Sequence, residues 1–169
     1  APAATITIVP QTIATEFKVN TNFYRKYLGV KGIPIIAPAQ VSNRALLKSG
    51  YIIQKMLAPK KLGNRLAGYI RTYRGRVAIV PRGKDFSYMP ELKGDKNYDD
   101  AAGIYVPTEG VFNETKSQLQ YFYETAFTRE ENALELGSAT DRSAGSSITI
   151  HEFGHSIHHA AFFHDMPNI

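Results

Sequence analysis

His151-Glu152-Phe153-Gly154-His155 is an H-E-x-x-H pattern. Two histidines four residues apart lie on one face of a helix, one turn from each other. Their imidazoles can therefore converge on a single zinc ion (Zn2+) at about 2.0–2.1 Å each. Glu152 falls on the adjoining face, where its carboxylate can take a proton from a zinc-activated water as that water attacks a carbonyl. The ion would also stabilise the oxyanion that develops. The competing reading is a helix with two surface histidines and a solvated glutamate. The surrounding residues argue against it. Ile150, Phe153, Gly154, Ile157 and Ala161 share one helical face, and Ile148 adds to the apolar set, so the spacing predicts a buried helix from Ser146 to about Phe163. Gly154 is expected to permit a close backbone approach. His151 and His155 are the expected metal ligands and Glu152 the expected catalytic base.

A catalytic zinc takes three protein ligands and keeps one position open. The extension H-E-x-x-H-x-x-G-x-x-H would need glycine at 158 and histidine at 161, where this chain has His158 and Ala161. On an unbroken helix His158 lies about 10.5 Å along the axis from His151, at about 1.5 Å per residue. It is expected to orient a neighbour of the ion rather than to bind it. His159 faces the same geometry, and His164 and Asp165 would have to fold back after a helix break. The expectation is a third ligand beyond residue 169, in a longer parent protein, which leaves this chain holding zinc weakly and showing little activity.

The elements that must position this helix are legible in part. Thr5–Val9 alternates and reads as a strand, as does Gly32–Ala37, placed near a sheet edge because Pro34 cannot donate to a ladder. Ser42 is a candidate N-cap for a helix reaching about residue 57, with an apolar stripe through Leu46, Ile53 and Leu57 and Pro59 just beyond. A second helix fits Asn64–Tyr73, then a strand Arg76–Val80. Residues 81–112 read as loop with a short strand at Ile104–Val106, and residues 113–127 fit helix or strand. Thr128 to Glu131 reads as a capping box opening a short helix that Gly137 ends.

Composition narrows the class. The chain has 169 residues, 43% hydrophobic and 21% charged, which suits one globular domain over residues 1–169. Cysteine is absent, which removes disulfides, thiolate zinc sites and cysteine nucleophiles. No apolar run approaches the roughly 18 residues of a membrane span, and the given residues contain no signal peptide. Asn113-Glu114-Thr115 is a glycosylation sequon, usable in a chain secreted by a eukaryote. Residues 1–84 carry 15 Lys and Arg against the single acid Glu16, while residues 85–169 carry 5 against 14 acids. The stretch from Lys60 to Lys84 holds no acid at all. With no nucleic-acid-binding motif beside it, it is read as pairing with the acidic half or as a solvated face, and no nucleic-acid partner is expected.

The segment from His151 to His158 resembles the active-site helix of zincin metallopeptidases whose third ligand is a glutamate. Upstream, Phe23 to Leu28, Gly32 to Ile36, Val41 to Leu57, Arg76 to Ile79, Tyr88 to Glu91 and Glu130 to Leu134 occur in an order similar to that of secreted peptidase domains of the anthrax-lethal-factor-like and Pro-Pro-endopeptidase-like kind. The resemblance implies an α+β, zincin-like fold: a small twisted mixed sheet, backing helices and a buried H-E-x-x-H helix. It also implies a secreted zinc metalloendopeptidase acting on peptide or protein substrates, with the glutamate ligand on a later helix that the 169 residues lack. The alternative is an inactive or truncated zincin module that binds metal or a protein partner.

Overall fold

The computed structural model describes residues 5–106 and 124–159. Five strands form one mixed sheet in the order β1-β2-β3-β5-β4. They are β1 (Tyr24–Val30), β2 (Ile33–Pro38), β3 (Arg76–Val80), β4 (Ile104–Val106) and β5 (Thr125–Arg129). β1 pairs antiparallel with β2, β2 and β5 flank β3 in parallel, and β4 closes the far side antiparallel to β5. The helices are α1 (Gln11–Glu16), α2 (Asn43–Met56), α3 (Lys60–Thr72), α4 (Glu130–Leu134) and α5 (Ile148–His158). The fold class is α+β.

Alternation along the strands separates two cores. Ile35, Val77, Ile79 and Ala126 face Leu46 and Ile53 of α2, Ile70 of α3 and Phe153 of α5. Ile36, Ala78, Val80 and Phe127 face the opposite way, onto Phe17, Phe86 and Met89. The four helices from α2 to α5 thus share one side of the sheet, and α1, short loops and 3-10 turns cover the other. Arg76 of β3 is buried in that second layer. It donates to Glu91 Oε1 at 2.9 Å, to the Phe17 carbonyl at 2.9 Å and to Thr125 Oγ1 at 3.0 Å, while Tyr24 Oη donates to Glu91 Oε2 at 2.6 Å.

Several local expectations match and several are corrected. Ser42 caps α2, its hydroxyl accepting from the Ala45 amide, and β3 and β4 lie where the pattern placed them. Thr5–Val9 is not a strand; Thr7 alone bridges to Tyr27. The strand containing Pro34 is internal rather than an edge. Proline is tolerated because β3 pairs only from Ile35 onward. α3 begins four residues earlier than the periodicity suggested, with Pro59 as its N-cap. Thr128 does not open a capping box: it belongs to β5, and α4 has no side-chain cap. Glu130 instead accepts from the backbone amides of Ser42 and Arg82, and Glu131 from that of Gly83. Of residues 113–127, Thr125–Phe127 are strand; the remainder up to 123, the Asn113 sequon included, lies outside the described residues.

Candidate metal centre

α5 is anchored at its N-terminus. Ser147 is the N-cap. Asn132 of α4 accepts the Ile148 amide proton on Oδ1 at 2.8 Å, while its Nδ2 donates to Asp141 Oδ1 and to the Ser146 carbonyl. Asp141 in turn receives the amides of Gly137, Ser143 and Gly145. Burial alone would raise the Asp141 carboxyl, but the donations from Asn132, Ser143 and Gly137 outweigh it and hold the group well below the usual range. Phe153, Ile148 and Thr149 fix the helix against the core. Ile150, expected on the buried face, is half exposed at 50%. Gly154 is not a point of close approach either, since a Cβ there would meet nothing within 4 Å.

The helix turns His151 and His155 outward and Glu152 inward. The two imidazoles meet through Nε2 atoms 3.2 Å apart, with ring planes at 81°. Two nitrogens bound tetrahedrally to one zinc at about 2.0–2.1 Å would be about 3.3–3.4 Å apart. The spacing of this pair therefore suits a shared ion. Burial, then the charges of His151 and His158, lowers the His155 pKa and favours the neutral imidazole that a metal requires. Glu152 is 5% exposed, and burial pushes its carboxyl up to about 7.

The edge strand supplies the other wall. Gly103 and Tyr105 are two residues apart, so they present the same face. A Cβ on Gly103 would come within 2.7 Å of Glu152 Oε1 and 2.2 Å of Ile148 Cγ2, so any larger residue would push both side chains aside. Tyr105 stacks on His155 with ring centroids 5.8 Å apart at 24° and also touches His159. His159 Nδ1 lies 3.0 Å from Oε1 of Glu124, which is fully buried at the start of β5. Burial, followed by the charge of Glu124, raises the Tyr105 phenol well above its ordinary value. His158 is exposed on α5 and acts on His155 through its charge; it is His159 that reaches the buried carboxylate.

Sequence reasoning missed Gly103, Tyr105 and Glu124. Gly103 stood in a stretch read as loop, while Tyr105 lay in the expected short strand Ile104–Val106 with nothing in the sequence to tie it to the histidines. Among the described residues no three His, Cys, Asp or Glu side chains could share one ion. His164 and Asp165, weighed as third ligands, lie outside those residues. No helix of the described residues is long and apolar enough to cross a membrane. No protein-family model, curated protein or solved structure matches this chain.

Proposed function

We propose that the chain is a zinc-dependent metalloendopeptidase domain, with His151 and His155 as metal ligands and Glu152 as general base. The observation that supports this reading is the 3.2 Å approach of the two Nε2 atoms, beside Tyr105 of β4, which stacks on His155, and Gly103 just before it, which adjoins Glu152. A zinc ion held there supplies a Lewis acid that polarises the scissile carbonyl. The chain's own groups do the rest. Glu152 accepts a proton from the attacking water and delivers it to the leaving amine. Tyr105 holds the His155 ring from one face. Among the described residues β4 pairs only with β5, so an extended peptide added to its other edge would lie alongside the histidine pair.

A second reading, a metal- or protein-binding module without hydrolysis, is favoured by the lack of a third candidate ligand among the described residues. One set of measurements separates the two. Zinc per protein is measured on the purified chain and on His151→Ala, His155→Ala and Glu152→Gln, beside cleavage of unstructured peptides. His151→Ala and His155→Ala should lose bound zinc. Glu152→Gln should keep it while turnover falls about 10²–10⁴-fold. Equal zinc content in all four proteins would overturn the metal site, whereas tight, stoichiometric zinc on a wild-type chain that cleaves nothing would select the second reading.

A further inference from the structure

The outer face of α2 has a composition that folding alone does not require. Its exposed positions include Arg44, Leu47, Lys48, Tyr51 and Lys55, a stripe at helical spacing. Leu47 is 42% exposed and Tyr51 59%. The start of α3 continues the pattern with Lys60, Lys61 and a Leu62 that is 54% exposed. Lys31, in the β1–β2 turn, links the two helices. Its Nζ donates to Asn64 Oδ1 of α3 at 2.5 Å, and it borders an open hollow with Tyr51, Gln54 and Lys55 of α2.

Neither helix contains an Asp or Glu. Among the described residues no carboxylate pairs with Lys31, Arg44, Lys48, Lys55, Lys60 or Lys61. Of the twelve acids among the described residues, Glu91, Glu124, Glu130, Glu131, Asp141 and Glu152 are buried, and of the other six Asp85 and Glu135 are taken up by arginines elsewhere. Both readings the sequence left for the basic stretch occur: Arg76 and Arg82 pair with acids of the second half, while Lys60 and Lys61 lie on an exposed face.

We propose that this α2–α3 face is a docking surface for an anionic lipid bilayer. Lys31 donates to Asn64 and Lys55 lies over the Tyr51 ring, but among the described residues no carboxylate neutralises these lysines. Exposed leucines and a tyrosine set among them match what an interface of headgroups and acyl chains takes up: the apolar side chains enter the boundary and the ammonium groups meet the anionic headgroups. A nucleic acid would satisfy the charge and leave Leu47 and Leu62 with nothing to bury them. Five of the six cations are lysines, point charges rather than the planar forks that read phosphates and base edges in pairs; the exposed Arg65 and Arg71 lie further along α3.

The test is co-sedimentation of the full chain with vesicles of phosphatidylcholine alone, or with roughly one third phosphatidylserine. The protein should pellet with the mixed vesicles, stay free of the neutral ones, and be released by high salt. Lys48→Gln combined with Lys55→Gln should lower partitioning about tenfold or more, given about 1 kcal/mol for each lysine at such a surface. Leu47→Ser combined with Leu62→Ser should lower it several-fold at unchanged charge. Lys96→Gln, an exposed lysine on another part of the chain, should leave it close to wild type. All these positions are exposed, and circular dichroism on the same samples checks that the helices persist. Failure to pellet, equal binding to neutral vesicles, or an equal loss from Lys96→Gln would overturn the proposal. So would a duplex oligonucleotide that displaces the protein from vesicles and whose own binding ignores the leucine changes.

Discussion

Gly103 is the residue on which the position of Glu152 turns. With any side chain at 103, either the carboxylate or Ile148 must move, and both belong to a helix that is packed on its inner side. Gly103→Ala should therefore destabilise the fold by about 1–3 kcal/mol, the usual range for overpacking. Under the proposed function it should also cut peptide turnover by more than it weakens zinc binding, because His151 and His155 face outward and Glu152 faces inward. Denaturant melts alongside zinc titration would show both effects; unchanged turnover would place Glu152 elsewhere in the working enzyme. Tyr105 makes a complementary case. Tyr105→Phe keeps the ring against His155 and removes the hydroxyl beside Glu124, whereas Tyr105→Ala removes the stacking surface. Zinc affinity should survive the first change and fall about tenfold or more in the second, as expected for a neighbour that fixes a ligand ring.

At the scale of elements, α5 depends on α4 and on the loop between them. Asn132 spans that gap, so Asn132→Ala would strip the Ile148 amide of its acceptor and Asp141 of a donor at once. The expected cost is about 1–3 kcal/mol in denaturant unfolding for buried groups left without partners, with weaker zinc binding as the first turn of α5 frays. Asp141 adds a pH signature. Its carboxyl is held below its unfolded value, so its contribution is complete above about pH 4 and is lost as pH falls through the folded value. Asp141→Asn should thus be less stable than wild type by a constant margin from about pH 5 to 8, and the margin should close in more acid solution. A margin independent of pH would mean that the ionised form does not stabilise the loop.

Across the whole molecule, the most consequential charges are the hidden ones. Arg76 and Glu91 are almost fully buried, and the pair ties β3 to the 3-10 turns and to Tyr24 of β1. Deleting one partner leaves the other charged in a dry layer. Glu91→Ala should cost about 3–5 kcal/mol, measurable as a large drop in the denaturation midpoint. By contrast, Arg82 and Glu135 form an exposed pair that solvent screens, and Glu135→Gln should leave the denaturation midpoint nearly unchanged. Equal losses from the two would mean that burial does not set the value of an ion pair here.

What the sequence determined by itself was whatever a local rule can carry. The i, i+4 histidines, the Ser42 cap, the apolar stripe of α2 and the strand at residues 76–80 all follow from contacts within a few positions of one another. The α+β class came instead from the family resemblance, since a mixture of helix and strand periods alone does not fix how the strands pair. Tertiary structure decided whatever depends on packing between distant segments. Pro34 sits in an internal strand because its neighbour pairs only from Ile35. Glu130 and Glu131 serve the amides of Ser42, Arg82 and Gly83 rather than a helix cap, a choice made by loops 48 or more residues away. Gly103 and Tyr105 become part of the candidate site only because β4 pairs with β5 and lies against α5. No periodicity encodes that meeting, since its partners are joined by the fold and not by spacing along the chain.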